Sequence, residues 1–230
     1  MRLGLALFLG IAAACTNNSN GEGVPVLPEF LAQNFPGGPV TNPFFPLAVG
    51  SVRTYEKMTD EGLEQVVVEV TADTKVILGV TCVVVRDTVT LDGEVIEDTF
   101  DWFAQDMDGN VWYLGEDSKE YEDGMVVSTE GSWEAGVDGA LAGIIMWGAP
   151  VVGTTYRQEF YEGEAEDMGT VIALDAMVTV PWGAFAGCLE TEDFTPLEPG
   201  HVEAKYYAPG IGLVLEVDEE AGRTELVEVE

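Results

Sequence analysis

Apolar residues in this chain recur at every second position, and turn dipeptides break the runs at short intervals. Val66, Val68 and Val70 alternate with Val67, Glu69 and Thr71. Ile172, Leu174, Ala176, Val178 and Val180 share one face across from Asp175 and Thr179, and Ile211, Leu213, Leu215 and Val217 do so opposite Gly212, Glu216 and Asp218. A strand turns successive side chains to opposite faces, so this period predicts half-buried antiparallel strands. Asp92-Gly93, Asp108-Gly109, Asp123-Gly124 and Pro209-Gly210 each lie between apolar runs, where the chain can reverse. The first two bracket Glu94 to Gln105 and predict consecutive hairpins around that strand. No stretch holds a 3.6-residue period over three turns. Leu141 to Trp147, the best helix candidate, is flanked by glycines and reads as a buried loop or a single turn. The expected fold class is all-β: one antiparallel curled sheet, a half-barrel or barrel-like domain, of roughly ten to twelve strands.

The N-terminus predicts an address. Met1-Arg2 precedes an apolar run, Leu3 to Ala14, that ends in Ala12-Ala13-Ala14-Cys15. This run is too short to cross a bilayer of about 30 Å as a helix, so residues 1–14 read as a signal peptide. The small residues before Cys15 resemble the lipobox of bacterial lipoproteins, which implies acylation of Cys15. Ala12 departs from the Leu or Val usual at its place, and an ordinary signal peptide cut near Ala14 is the alternative. Residues 15–23 form a polar, flexible tether after the lipidated cysteine. Residues 24–50 carry Pro25, Pro28, Pro36, Pro39, Pro43 and Pro46, so this entry segment should run irregularly over the surface. Its end, Asn42-Pro43-Phe44-Phe45-Pro46-Leu47, is placed to plug one end of the core. Residues 51–230 make up one β domain. The expected location is the cell envelope, with the chain exported and lipid-anchored on the periplasmic or surface face of the outer membrane.

Composition narrows the partners. The net charge is −33, and removal of the signal takes away one basic residue, Arg2, and no acidic one. Such a charge repels nucleic acid and attracts cations. The chain is nevertheless 47% hydrophobic, enough to bury a core rather than remain a disordered acidic tail.

Three segments carry a resemblance: Asp101 to Glu116 (DWFAQDMDGNVWYLGE), Tyr156 to Met168 (YRQEFYEGEAEDM) and Glu198 to Val214 (EPGHVEAKYYAPGIGLV). Over residues 42 to 218 the chain resembles uncharacterised secreted bacterial lipoproteins. The last segment, with paired tyrosines, a Pro-Gly turn and a Gly-rich return strand, is loosely similar to half-barrel envelope lipoprotein carriers. That likeness implies a curved sheet cupping an apolar ligand, although such carriers close the cup with helices and none is evident here.

No catalytic motif emerges. The single histidine, His201, sits beside Gly200 in a Pro/Gly-rich stretch and reads as an exposed loop residue. Cys82 and Cys188 form an even pair once Cys15 is acylated, so they are either a disulfide or two separate core thiols. Asp106-Met107-Asp108-Gly109-Asn110 has the spacing that opens many calcium loops, with Asp117 where a distal ligand would fall. A plain hairpin turn accounts for the same residues. Glu159, Glu162, Glu164, Glu166 and Asp167 form a second acidic group, either a solvated edge or a cation site. Trp102, Trp112, Tyr113, Trp133, Tyr156 and Tyr206 could line the concave face of a curled sheet, or simply fill its core. The expected function is a non-catalytic, lipid-anchored envelope binding module that holds an apolar ligand or envelope partner on that face and takes no cofactor. A divalent-cation (Ca2+) protein built on Asp106, Asp108, Asn110 and Asp117 is the alternative, and an unrecognised hydrolase the third reading.

Overall fold

A computed structural model describes residues 27–218 and 221–230. Residues 1–23, read above as a signal peptide, a lipidated Cys15 and a tether, lie outside the described residues. Among those described, one 3-10 turn (Ala32–Asn34) precedes fifteen strands: β1 Val52–Met58, β2 Leu63–Ile77, β3 Val80–Leu91, β4 Glu94–Gln105, β5 Val111–Glu122, β6 Met125–Ser128, β7 Trp133–Glu134, β8 Leu141–Met146, β9 Thr155–Arg157, β10 Glu159–Phe160, β11 Met168–Val180, β12 Gly183–Phe194, β13 Glu203–Ala208, β14 Gly212–Asp218 and β15 Gly222–Val229. All belong to one antiparallel sheet, ordered β10-β8-β5-β4-β3-β2-β1-β15-β14-β13-β12-β11-β9, with β6 and β7 also on β5. The sheet curls into a nearly closed barrel.

Local turn chemistry explains the long hairpins. Asp92-Gly93 and Asp123-Gly124 hold positive φ at both residues (50° and 88°; 52° and 72°). That is the type I′ geometry whose twist matches the flanking strands. Leu78-Gly79 does the same between β2 and β3, with φ of 49° and 81°. A leucine there is no turn signal, which is why the dipeptide rule passes over this reversal. β4 occupies the span predicted for it, Glu94–Gln105.

The seam of the barrel is a single kinked segment. Its first half, β9, pairs with β11; its second half, β10, pairs with β8 at the opposite end of the sheet. Gln158 is the hinge between them, its backbone N–H donating to the Asp167 carbonyl (2.8 Å) and its side-chain amide to Asp193 Oδ2 (3.1 Å). Closure needs two backbones in near contact, and Gly143 permits it, because a Cβ there would fall on the Gln158 carbonyl. Leu141–Met146 is therefore a strand, not a loop or a single turn, with Gly143 marking where another chain segment comes close. Gly143→Ala is expected to lower stability by about 1–3 kcal/mol, the usual range for overpacking, measured by urea unfolding. A loss below about 0.5 kcal/mol would mean that the seam yields.

Strand faces depart from simple alternation where bulges intervene. In β11 the pairing shifts three times between Val171 and Met177, so Val171 and Val178, seven residues apart, are both buried while Leu174 turns outward. In β14 an extra residue, Val214, sits opposite the Tyr206–Tyr207 step, so Leu213 and Glu216 both reach the interior. In the entry segment, Val40 and Leu47 bridge to each other and are buried, while Phe30, Phe35, Phe44 and Phe45 pack against the main core. Asn42 ties the segment down, its side-chain amide donating to the carbonyls of Gly109 (2.9 Å) and Trp147 (3.0 Å).

Candidate functional site

Beneath the Phe45–Leu47 plug, the barrel interior holds a cavity of about 130 Å³ that is partly open to solvent. Its wall combines two chemistries. Phe45, Tyr55, Phe103, Tyr113 and Tyr207 supply aromatic surface, and Arg53, Asp87, Asp101, Lys205 and Glu216 bring charge inside. Period two places them: Asp87 on β3, Asp101 and Phe103 on β4, and Lys205 and Tyr207 on β13 are inward-facing positions of their strands.

Most of these groups have answered partners. Arg53 donates from Nε to the Ile211 carbonyl (2.8 Å) and from Nη2 to the Pro46 carbonyl (2.7 Å). Tyr113 donates its hydroxyl proton to Asp101 Oδ1 (2.6 Å) and stacks on Phe103 at 4.8 Å. The Lys205 ammonium lies 3.4 Å from Asp193, 3.5 Å from Glu203 and 3.7 Å from Glu216. Asp87 differs. It is only 8% exposed, and its Oδ1 is buried without a hydrogen-bond partner.

The interior is crowded with acids, and burial governs their titration. Desolvation, reinforced by Asp101, Glu97 and Glu216, holds Asp87 well above the usual carboxylate range. Burial pushes Asp101 up to about 6 against the opposing hydrogen bond from Tyr113, and Glu97 to about 7. Glu216 rises to about 8 through burial and the neighbouring Glu203, with Lys205 pulling the other way. Burial also raises Asp167 to about 7, and lifts Glu116 and Glu159 well above the ordinary range. For Lys205, burial alone would lower the pKa; Asp193, Glu216 and Glu203 more than offset it and raise the group.

The aromatic residues singled out in the sequence mostly lie elsewhere. Of Trp102, Trp112, Tyr113, Trp133, Tyr156 and Tyr206, only Tyr113 lines the cavity. Trp102 and Trp112 sit one position from Phe103 and Tyr113, and so on the opposite faces of β4 and β5. Trp102 lies under the Lys75 ammonium, 3.1 Å from the ring centroid. Trp112 meets Phe30 and Phe35 edge-on and donates Nε1–H to Asp106 Oδ2 (2.9 Å). Trp133 donates to the buried Glu159 (2.8 Å), and Tyr156 packs against Trp147. Tyr206 donates to Glu190 (3.1 Å), while its neighbour Tyr207 reaches the cavity. The concave aromatic face is thus replaced by a smaller interior site built from the adjacent rings.

In the Asp106–Asn110 turn, read above as an alternative calcium site, the side-chain oxygens of Asp106 and Asn110 accept hydrogen bonds. Asp106 Oδ1 accepts the backbone N–H groups of Asp108 and Asn110 (both 2.9 Å). Its Oδ2 accepts the Asn110 side-chain amide (2.8 Å) and the Trp112 indole, so both oxygens serve the hairpin itself. Asn110 Oδ1 accepts the Gly148 N–H (2.9 Å). Asp117, seven residues up β5 and so roughly 20 Å away, pairs with Lys119 instead. Cys82 and Cys188 are free, buried thiols in different hydrophobic clusters, which excludes the disulfide and leaves two separate core thiols. In the second acidic group, Glu162 and Glu164 are exposed while Glu159 is buried beneath Trp133.

His201 is not an exposed loop residue. Its side chain is 15% exposed, with Nε2 3.3 Å from Asp218 Oδ2 and 3.8 Å from Glu203 Oε1. Among the described residues these three form the sole group whose ligand atoms come close enough to hold a metal, all within 4.8 Å of one another. Glu203 and Asp218 face each other across β13 and β14, which brings them together. Glu203 also has Lys205 nearby, its ammonium 3.5 Å from Oε2.

No protein-family model and no curated protein matches this chain. Among solved structures, the chain is similar to a "putative lipoprotein" from Parabacteroides distasonis, at 13% identity. The match covers 81% of this chain and 98% of that one, with a TM-score of 0.36.

Proposed function

We propose that the protein is an exported, lipid-anchored envelope protein that binds a small molecule inside its barrel and performs no chemistry on it. The reading rests on one observation: the barrel interior is left hollow beneath the entry-segment plug, and the hollow is lined by both aromatic rings and charged groups. Binding sites combine apolar walls with a few placed polar groups in this way. A stability-optimised core would fill such a space with side chains. The anchor rests on the signal-like run ending at Cys15 and on the polar tether that follows it.

The experiment is to isolate the protein from host membranes and identify what denaturation releases from it by mass spectrometry. Wild type should release one small molecule in near-stoichiometric amount. Leu213→Trp, which fills the cavity from β14, should release none while keeping the wild-type circular-dichroism spectrum. Equal release from both proteins would place the ligand elsewhere, and a chain without acyl mass on Cys15 would remove the anchor.

A further inference from the structure

The cavity also carries a chemical preference. We propose that it binds a small organic cation, an alkylammonium, with its charge against Asp87 and its carbon skeleton between the aromatic walls. This rests on the reading of the barrel interior as the ligand site, and deepens it by naming the class of ligand.

Size sets the first limit. An apolar cavity of about 150 Å³ accommodates benzene, so about 130 Å³ admits a ligand of roughly six non-hydrogen atoms or fewer.

Hydrogen bonding sets the second. Each other charged group on the cavity wall has a partner within the protein: Arg53 two carbonyls, Asp101 the Tyr113 hydroxyl, and Glu216 the Lys205 ammonium. Asp87 keeps one buried oxygen unanswered, and among the described residues no ammonium or guanidinium pairs with it. Arg86, its chain neighbour, points to the other face of β3 and engages Asp98 at 2.7 Å. An unanswered buried oxygen costs about 1–3 kcal/mol, and an ammonium set against the cavity-facing side of the same carboxyl group offsets that cost.

Charge decides between a neutral and a cationic donor. The charges that raise Asp87 are Asp101, Glu97, Glu216 and Asp98, all of them carboxylates. The two cations on the cavity wall are engaged, Arg53 with carbonyls and Lys205 with three carboxylates. A ligand ammonium beside Asp87 offsets the desolvation and the neighbouring acids that keep its proton on, so it binds with Asp87 ionised and that proton released, whereas an anion is disfavoured by the same groups. The rings of Tyr55, Phe103, Tyr113 and Tyr207 add surfaces that attract cations and exclude water.

Three probes with one skeleton test the charge: isobutylamine, isobutanol and isobutyrate, titrated calorimetrically into the purified protein at pH 7.5. About 0.5 M NaCl screens the acidic exterior so that only enclosed sites report. The amine should bind at one site per chain and at least tenfold more tightly than the alcohol, with isobutyrate undetected. Asp87→Asn keeps the shape and removes the charge, so it should reduce the amine to the affinity of the alcohol. Its melting temperature, at or above that of wild type, would show that the fold is kept. Amine and alcohol binding equally well, or an amine indifferent to Asp87→Asn, would overturn the cation and leave the cavity as an unselective site. Failure of all three probes to bind would overturn the cavity reading itself.

Discussion

Raising the pH from 5 to 8 is expected to destabilise this protein, the reverse of ordinary acid denaturation. The cause is the set of interior acids whose pKa values rise on folding. Asp101 is pushed up to about 6, Glu97 and Asp167 to about 7, and Glu216 to about 8. In the unfolded chain such groups titrate near 4. Between those limits the folded state holds protons that the unfolded state has lost. The stabilisation is therefore complete below the unfolded pKa and disappears as pH rises through about 6 to 8. A single group raised by about two units contributes roughly 3 kcal/mol across the window. In a chain of this length that corresponds to about 6–12 °C in Tm. Differential scanning calorimetry in about 1 M NaCl isolates the effect, because surface charges are then screened beyond about 3 Å. A Tm that stays level or rises between pH 5 and 8 would mean that these acids are ionised and hydrated in the native barrel.

Lys205→Met should produce the largest loss of any single substitution considered, about 3 kcal/mol at pH 7.5. Breaking a buried ion pair from one side costs about 3–5 kcal/mol because the abandoned charge stays buried. Here three abandoned carboxylates, Asp193, Glu203 and Glu216, surround the vacated position. The Lys205 side chain is 19% exposed, so water can partly replace it, which sets the lower end of that range. Lowering the pH to 5 should return part of the loss, since Asp167, which rises to about 7 even with Lys205 pulling it down, is then protonated and no longer needs a counter-ion. Urea unfolding with an unchanged m value at both pH values is the measurement. A loss equal at pH 5 and 7.5 would show that Lys205 acts through its packed methylenes rather than its charge.

How much of this was legible in the residues depends on distance along the chain. The all-β class, the strand Glu94–Gln105 and the turns at Asp92-Gly93 and Asp123-Gly124 follow from interactions within a few residues, and the structure contains them. The plug formed by Asn42 to Leu47 was also legible, because prolines and aromatics together cannot form a ladder strand yet still need cover. The site was not. Reading tryptophans and tyrosines as the ligand face selected Tyr113, which lines the cavity, but also Trp102 and Tyr206, where the neighbouring rings, Phe103 and Tyr207, line it instead. Alternation shows that adjacent residues point to opposite sides. It does not show which side is the inside.

What the sequence by itself determined was the strand period, the chain reversals that glycine and aspartate permit, and an excess of acid over base large enough that some acids meet no base. What only the tertiary structure decided was the sidedness. Glu216 and Asp218 occupy what reads as the solvent face of β14, yet they are 6% and 4% exposed. The kink at Gln158 joins the two ends of the sheet and turns the polar side of several strands towards the barrel interior. That closure depends on Gly143 and Gln158, and on strands as distant in sequence as β1 and β15 lying side by side. No local pattern encodes such neighbours, because the free energy that selects them is released only when the sheet closes and water leaves the interior.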